Sequence, residues 1–180
     1  MDLVLSVIIG CEIAFWVVVA LGLLARYGWR RRRLGAVLLA ATPVIDVVLL
    51  VAVVVDLERG GTATFFHGLA ALYLGLSLAH GPAMIRWADT RVAHRFAGGP
   101  PPVKLYGWAY ARGCWKDVAR TTLAVGIAAG VLGLLTVLVQ DAERTEPLLS
   151  VLPLLGIWWV VDLLWALGHT VWPRRPAAAG

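Results

Sequence analysis

The side chains of this sequence most able to do chemistry are three acids inside strongly apolar stretches, Glu12, Asp46 and Asp162. Ionisable residues within a membrane are costly and often mark proton or ion paths. No Lys or Arg lies in the middle of these stretches. The acids can therefore bond between helices, which is a purely structural role, or share a proton or a cation.

A second polar group lies on one predicted helix. Tyr73, Ser77 and His80 are spaced four and three residues apart, so they share a helix face. Pro82 follows His80 closely and leaves the carbonyl of Leu78 without its helical hydrogen bond. The pattern indicates either a hydrated proton path or a helix seam with a proline kink.

A rise of 1.5 Å per residue gives the depth of each acid. Glu12 lies roughly 20 Å and Asp46 roughly 18 Å from the inner ends of their helices, with Tyr73 at about the same level. Asp162 lies roughly 14 Å from its inner end. Depth does not fix rotation, so these acids either converge in a midplane cluster or face separate helix seams.

The sequence contains no motif that specifies a reaction. A GxSxG elbow, an HExxH helix, a Walker loop and a Gly-rich dinucleotide fingerprint are all missing. The histidines and acids have no metal-ligand spacing, and Cys11 and Cys114 form no CxxC pair. We therefore assign no catalytic residue, metal or cofactor, and favour a protein that is not an enzyme.

Five long apolar stretches contain these residues. The chain of 180 residues is 60% hydrophobic and 15% charged, against about 45–50% and 25% in soluble proteins. About 20 residues of helix span a hydrocarbon core of about 30 Å, and a helix satisfies its own backbone. We predict an all-α bundle in one domain over residues 1–175, followed by a disordered tail at 176–180. The predicted spans are 3–24, 34–55, 64–85, 121–139 and 148–171.

Charge predicts the orientation of the bundle. Five Lys or Arg residues lie between spans one and two, seven between spans three and four, and two after span five, fourteen in all. The opposite side has only Arg59 and Arg144. The positive-inside rule therefore places the N-terminus outside and the C-terminus in the cytoplasm. Because the net charge of +5 is arranged in this way, we exclude nucleic acid as a partner.

The predicted cytoplasmic loop runs from Arg86 to Arg120. Its first part continues helix three until the run from Gly98 to Pro102 breaks it. The stretch from Lys104 to Arg120 mixes aromatic and basic residues. That composition suits either an ordinary solvated loop or a segment lying on anionic lipid.

Span four carries no charge and has glycines near one side, Gly126, Gly130 and Gly133. The GxxxG spacing of the first two allows close helix approach. The spacing does not distinguish a helix of this chain from a second copy or another membrane protein.

Four segments carry a family resemblance, and they are the stretches 11–16, 42–46, 63–71 and 84–89. They read CEIAFW, TPVID, ATFFHGLAA and MIRWAD, and they resemble the YmcC-like family of bacterial integral membrane proteins. The resemblance covers the first hundred residues well and the remainder loosely. It implies a multi-pass protein of the bacterial cytoplasmic membrane and supplies no activity.

Three hypotheses follow for function. The first is a non-catalytic packing or accessory subunit, with lipids and a second copy or a membrane complex as its partners. The second is proton- or cation-linked transport through Glu12, Asp46, Tyr73 and His80. The third is a lipid-active enzyme at the cytoplasmic interface near His80, Arg86 and Asp89.

Overall fold

The computed structural model describes residues 2–96 and 98–175, without the side chains of residues 2–5, 7, 8, 12, 66 and 142. Every regular element in these residues is a helix. The elements are α1 (Asp2–Leu23), a π-helical turn (Leu24–Gly28), α2 (Arg32–Ala40), α3 (Thr42–Glu58), α4 (Phe65–Phe96), α5 (Gly107–Val139), α6 (Ala142–Leu149) and α7 (Leu152–Val171).

These elements form five helical stretches that are long and apolar enough to cross a membrane, which confirms the predicted all-α membrane bundle. The stretches are Ile9–Gly28, Arg32–Glu58, His67–Phe96, Gly107–Val139 and Glu143–Val171. The second joins α2 to α3, and the fifth joins α6 to α7. The orientation of the termini stays a prediction.

The segment predicted as a loop, 86–120, is largely helical. Helix α4 continues through Pro82 to Phe96, and α5 begins at Gly107. With 32 and 33 residues, each helix is about 50 Å long, well beyond a hydrocarbon core of about 30 Å. Both helices therefore extend past the membrane on the side that carries Arg30–Arg33 and the non-helical segment 98–106, which we call the basic end. The predicted tail at 176–180 lies outside the described residues.

The helices pack in a simple order. Helix α1 packs on α3, α3 on α4, α4 on α5 and α5 on α7. The largest buried cluster joins α3, α4, α5 and α6, and its members are Val53, Leu57, Ala63, Ala71, Leu132, Leu135 and Leu148. Many large apolar side chains point outward instead, including Trp16, Val51 and Leu134. Such exposure suits a bundle whose surroundings are lipid.

One close approach holds α4 against α5. A Cβ atom built on Gly75 would lie 2.4 Å from the backbone oxygen of Ala124. Only a residue without a side chain fits there, because real Cβ atoms do not come that close to backbone oxygen. Ala124 itself is fully buried. This contact sets both the spacing and the antiparallel register of α4 and α5.

Charged side chains fasten the two ends of the bundle. At the basic end, Arg26 in the π-helical turn forms an ion pair with Asp89 on α4, and the Tyr27 hydroxyl donates to the same carboxylate at 3.0 Å. At the other end, the Arg144 side chain donates to the backbone oxygens of Leu57 and Gly61. These bonds connect helices that are far apart in sequence.

We expect Gly75→Ala to destabilise the bundle, because its new methyl group overlaps the Ala124 carbonyl. Overpacking of this kind costs about 1–3 kcal/mol. Gly156→Ala on α7 is the matched control, since its Cβ meets nothing within 4 Å and alanine favours helix over glycine by up to about 1 kcal/mol. Thermal unfolding in nanodiscs should show a lower Tm for the first variant only. Equal Tm values for the two variants would contradict the close approach.

The predicted orientation has its own test. In a Cys11→Ser, Cys114→Ser background, Glu146→Cys should react with a membrane-impermeant maleimide in intact cells. Lys104→Cys should react only after the cells are broken, because the positive-inside rule places it in the cytoplasm. The reverse pattern of labelling would invert the topology.

Candidate functional site

Asp46 on α3 is buried, with 3% of its surface exposed. The Ser77 hydroxyl of α4 lies close enough to interact with its carboxyl group. Oxygen Oδ2 of Asp46 has no hydrogen-bond partner among the described residues. The nearby Thr42 hydroxyl donates to the Leu39 carbonyl at 2.9 Å rather than to the acid. Asp46 is thus a buried polar group that its surroundings only partly satisfy.

The side chains of the predicted polar stripe on α4 contact four different helices. The Tyr73 ring, 44% exposed, stacks on Phe15 of α1 with the ring centres 6.4 Å apart. Ser77 faces Asp46 on α3. His80 contacts α5 and α7, and its ring centre lies 5.4 Å from that of Trp158. The three side chains therefore do not form one continuous path on a single seam.

His80 and Asp162 are joined by a residue that the sequence analysis did not select, Thr121 on α5. Thr121 is fully buried, and its hydroxyl oxygen lies 3.3 Å from Nε2 of His80 and 2.5 Å from Oδ2 of Asp162. One hydroxyl thereby connects α4, α5 and α7. The sequence feature that could have pointed to Thr121 is its position at the start of the apolar stretch of α5.

The chemistry of a hydroxyl limits this cluster to two arrangements. Thr121 has one proton to donate and can accept through its lone pairs. When Thr121 donates to an ionised Asp162, it accepts a hydrogen bond from the protonated Nε2 of His80. When Asp162 carries the proton, Asp162 donates to Thr121 and Thr121 donates to His80. The two arrangements differ by a shift of protons along two bonds, which is the behaviour of a relay.

The intramembrane acids face different seams. Asp46 lies between α3 and α4, whereas Asp162 lies between α5, α4 and α7. The two seams meet on α4, where Ser77 and His80 are three residues apart, a rise of about 4.5 Å. Glu12 is on α1, and its side chain lies outside the described residues.

The His80 cluster does not have the arrangement of a nucleophilic triad. In a triad the acid accepts a hydrogen bond from the histidine and so orients it, whereas Asp162 bonds to Thr121. The three residues of the proposed interfacial site, His80, Arg86 and Asp89, do not act together either. The Asp89 carboxylate is already bound to Arg26 and Tyr27. Within the described residues, no three His, Cys, Asp or Glu side chains form a group that could hold a metal.

The glycines predicted for helix packing point away from the bundle. Cβ atoms built on Gly126, Gly130 and Gly133 meet nothing within 4 Å, and all three residues are exposed. The glycines at close contacts inside the bundle are others, among them Gly68 and Gly75 on α4. Gly68, Ala71 and Gly75 follow one another at intervals of three and four residues. The glycines of α5 have the same kind of spacing.

The chain is similar in sequence to a known bacterial membrane protein. The chain is 42% identical over 173 residues to the uncharacterized membrane protein YmcC of Bacillus subtilis strain 168, which covers 96% of this chain and 94% of that protein. Neither a family model nor a solved structure matches. The match extends well beyond the first hundred residues, and with five apolar helices it indicates a multi-pass protein of a bacterial membrane. The chain belongs to the YmcC-like family of bacterial membrane proteins.

Proposed function

We propose that this protein is a non-catalytic membrane subunit that associates with another membrane helix through the glycine face of α5. We define this face by Gly126, Gly130 and Gly133, which lie within a narrow sector of the helix. The observation that carries the proposal is the open space around all three glycines. The contacts that α5 makes with α4 and α7 lie on the opposite side of the helix.

Helices associate in lipid mainly through close contact of their backbones. Apolar side chains gain little by leaving lipid for another helix, so close backbone packing supplies much of the attraction. Glycines at spacings of three and four permit that approach. Neighbouring positions on α5, such as Leu134 and Val137, are large and exposed. They leave the glycines as a shallow groove into which a partner helix fits, either from a second copy or from a larger complex.

Substitution of the face should separate the partners without unfolding the chain. We expect Gly126→Ile with Gly130→Ile to remove a crosslinked species in native membranes, because the added side chains block backbone contact. Gly10→Ile is the matched control, since Gly10 is an exposed glycine of α1 with nothing within 4 Å of its Cβ. A wild-type protein that forms no crosslink and purifies as a monomer without a partner would contradict the proposal.

A second candidate function is proton-linked transport, and the unpartnered oxygen of Asp46 favours it. A buried carboxyl oxygen without a donor costs about 1–3 kcal/mol or more. Buried acids in membrane helices are commonly retained where protons or ions pass. Ser77 next to Asp46 supplies a hydroxyl that can accept or donate a proton.

For transport, we expect Asp46→Asn to abolish proton uptake by vesicles that contain the purified protein, since an amide cannot exchange the proton. Ser77→Ala should slow uptake, and Glu58→Gln, an exposed acid at the far end of α3, should have no effect. Equal proton uptake by wild type and Asp46→Asn, at equal protein levels, would exclude this function.

A further inference from the structure

A groove of about 520 Å³ opens between α5 and α7 at the basic end of the bundle. Tyr110, Cys114 and Trp165 form part of its wall, together with two acids, Asp117 and Asp162. No Lys or Arg is among the described residues that line it. The α5 part of the wall precedes Thr121, where the uncharged stretch of α5 starts. The groove therefore opens near the membrane–water interface.

Asp162 is the acid of this groove that lacks a charged partner. Asp117 forms an ion pair with Arg120 at 2.5 Å. Asp162 accepts a bond from Thr121 through Oδ2, and no ion pair with it occurs within the described part of the chain. Its remaining oxygen is free to accept a hydrogen bond or a charge from a ligand in the groove.

The aromatic walls favour a cation. A positive group over the face of Trp or Tyr is attracted by the ring, by about 0.5–2 kcal/mol. The Tyr110 ring already attracts one cation of the chain itself, because the Arg174 guanidinium carbon lies 5.2 Å from the ring centre. The Trp165 side chain is 60% exposed. An anion would be repelled by Asp162, and an apolar ligand would remove water from the carboxylate without compensation.

We propose that this groove binds an organic ammonium cation against the carboxylate of Asp162, which Thr121 holds in place through its hydrogen bond. The carboxylate carries the charge that the cation neutralises. This site is separate from the glycine face and from Asp46.

The charged groups around Asp162 and His80 come from the packed helices. From α5, Asp117 and Arg120 act on His80, and from α7 so does Asp162. Cys114 of α5 also lies within reach of the charges on Asp117 and Asp162. Asp117 and Arg120 neutralise one another, which leaves Asp162 as the acid that can neutralise a bound cation.

Binding is tested with benzyltrimethylammonium, whose charge does not titrate, on the purified full chain in phosphatidylcholine nanodiscs. We expect saturable quenching of tryptophan fluorescence as the cation is added. Asp162→Asn should weaken binding about tenfold, or about 1.4 kcal/mol. Trp165→Leu should weaken it about threefold or more, while Glu58→Gln leaves it unchanged.

Benzyl alcohol is the neutral comparator for the ligand. Equal binding of the alcohol and the cation, or wild-type affinity in both Asp162→Asn and Trp165→Leu, would overturn the cation site. The Trp165 variant keeps the test decisive if Asp162→Asn fails to fold, because Trp165 contributes an exposed wall rather than the buried bond to Thr121.

Discussion

The close approach of Gly75 to the Ala124 carbonyl is the contact on which the rest of this bundle depends. It brings the two longest helices, α4 and α5, to a separation that no side chain at position 75 would allow. Five residues further along α4 and three residues earlier on α5, the same register places His80 beside Thr121. Helix α7 then packs on the other side of Thr121 through Asp162. A shift of one turn, about 5.4 Å, would separate all three side chains.

Every polar group inside the bundle needs a hydrogen-bond partner from the protein, because no water is available in the lipid core to supply one. The structure meets this requirement by hydroxyl bonds to nearby backbone carbonyls, as for Thr42, and by hydroxyl bridges between helices, as for Thr121. Asp46 is different, since one of its oxygens remains without a donor in the described part of the protein. The cost of that oxygen is the physical reason for considering proton movement beside the proposed packing role.

The number and type of membrane helices followed from the sequence, because long apolar stretches in lipid have only the helix as a solution. Rotation about each helix did not follow, since apolar residues cover every side and give no amphipathic direction. Tyr73, Ser77 and His80 share a predicted face, yet α4 presents them to different neighbours. For the same reason the sequence could not say that Gly75 faces inward and Gly126 outward. The continuation of α4 toward the break at Gly98 was predicted, whereas the start of α5 at Gly107 was not, because charge marks a membrane boundary and not the end of a helix.

The most direct test of this arrangement is a solid-state NMR measurement of dipolar coupling between histidine ring nitrogens and the threonine side-chain carbons, with both residue types labelled. His67 lies beside Thr64 and contributes its own coupling, so the His80 contribution is the part that disappears in Thr121→Val. We expect this part to be present in the wild type and lost in the variant, while the His67 coupling persists. A spectrum that Thr121→Val leaves unchanged would mean that His80 and Thr121 are not in contact, and the register set by Gly75 would be contradicted.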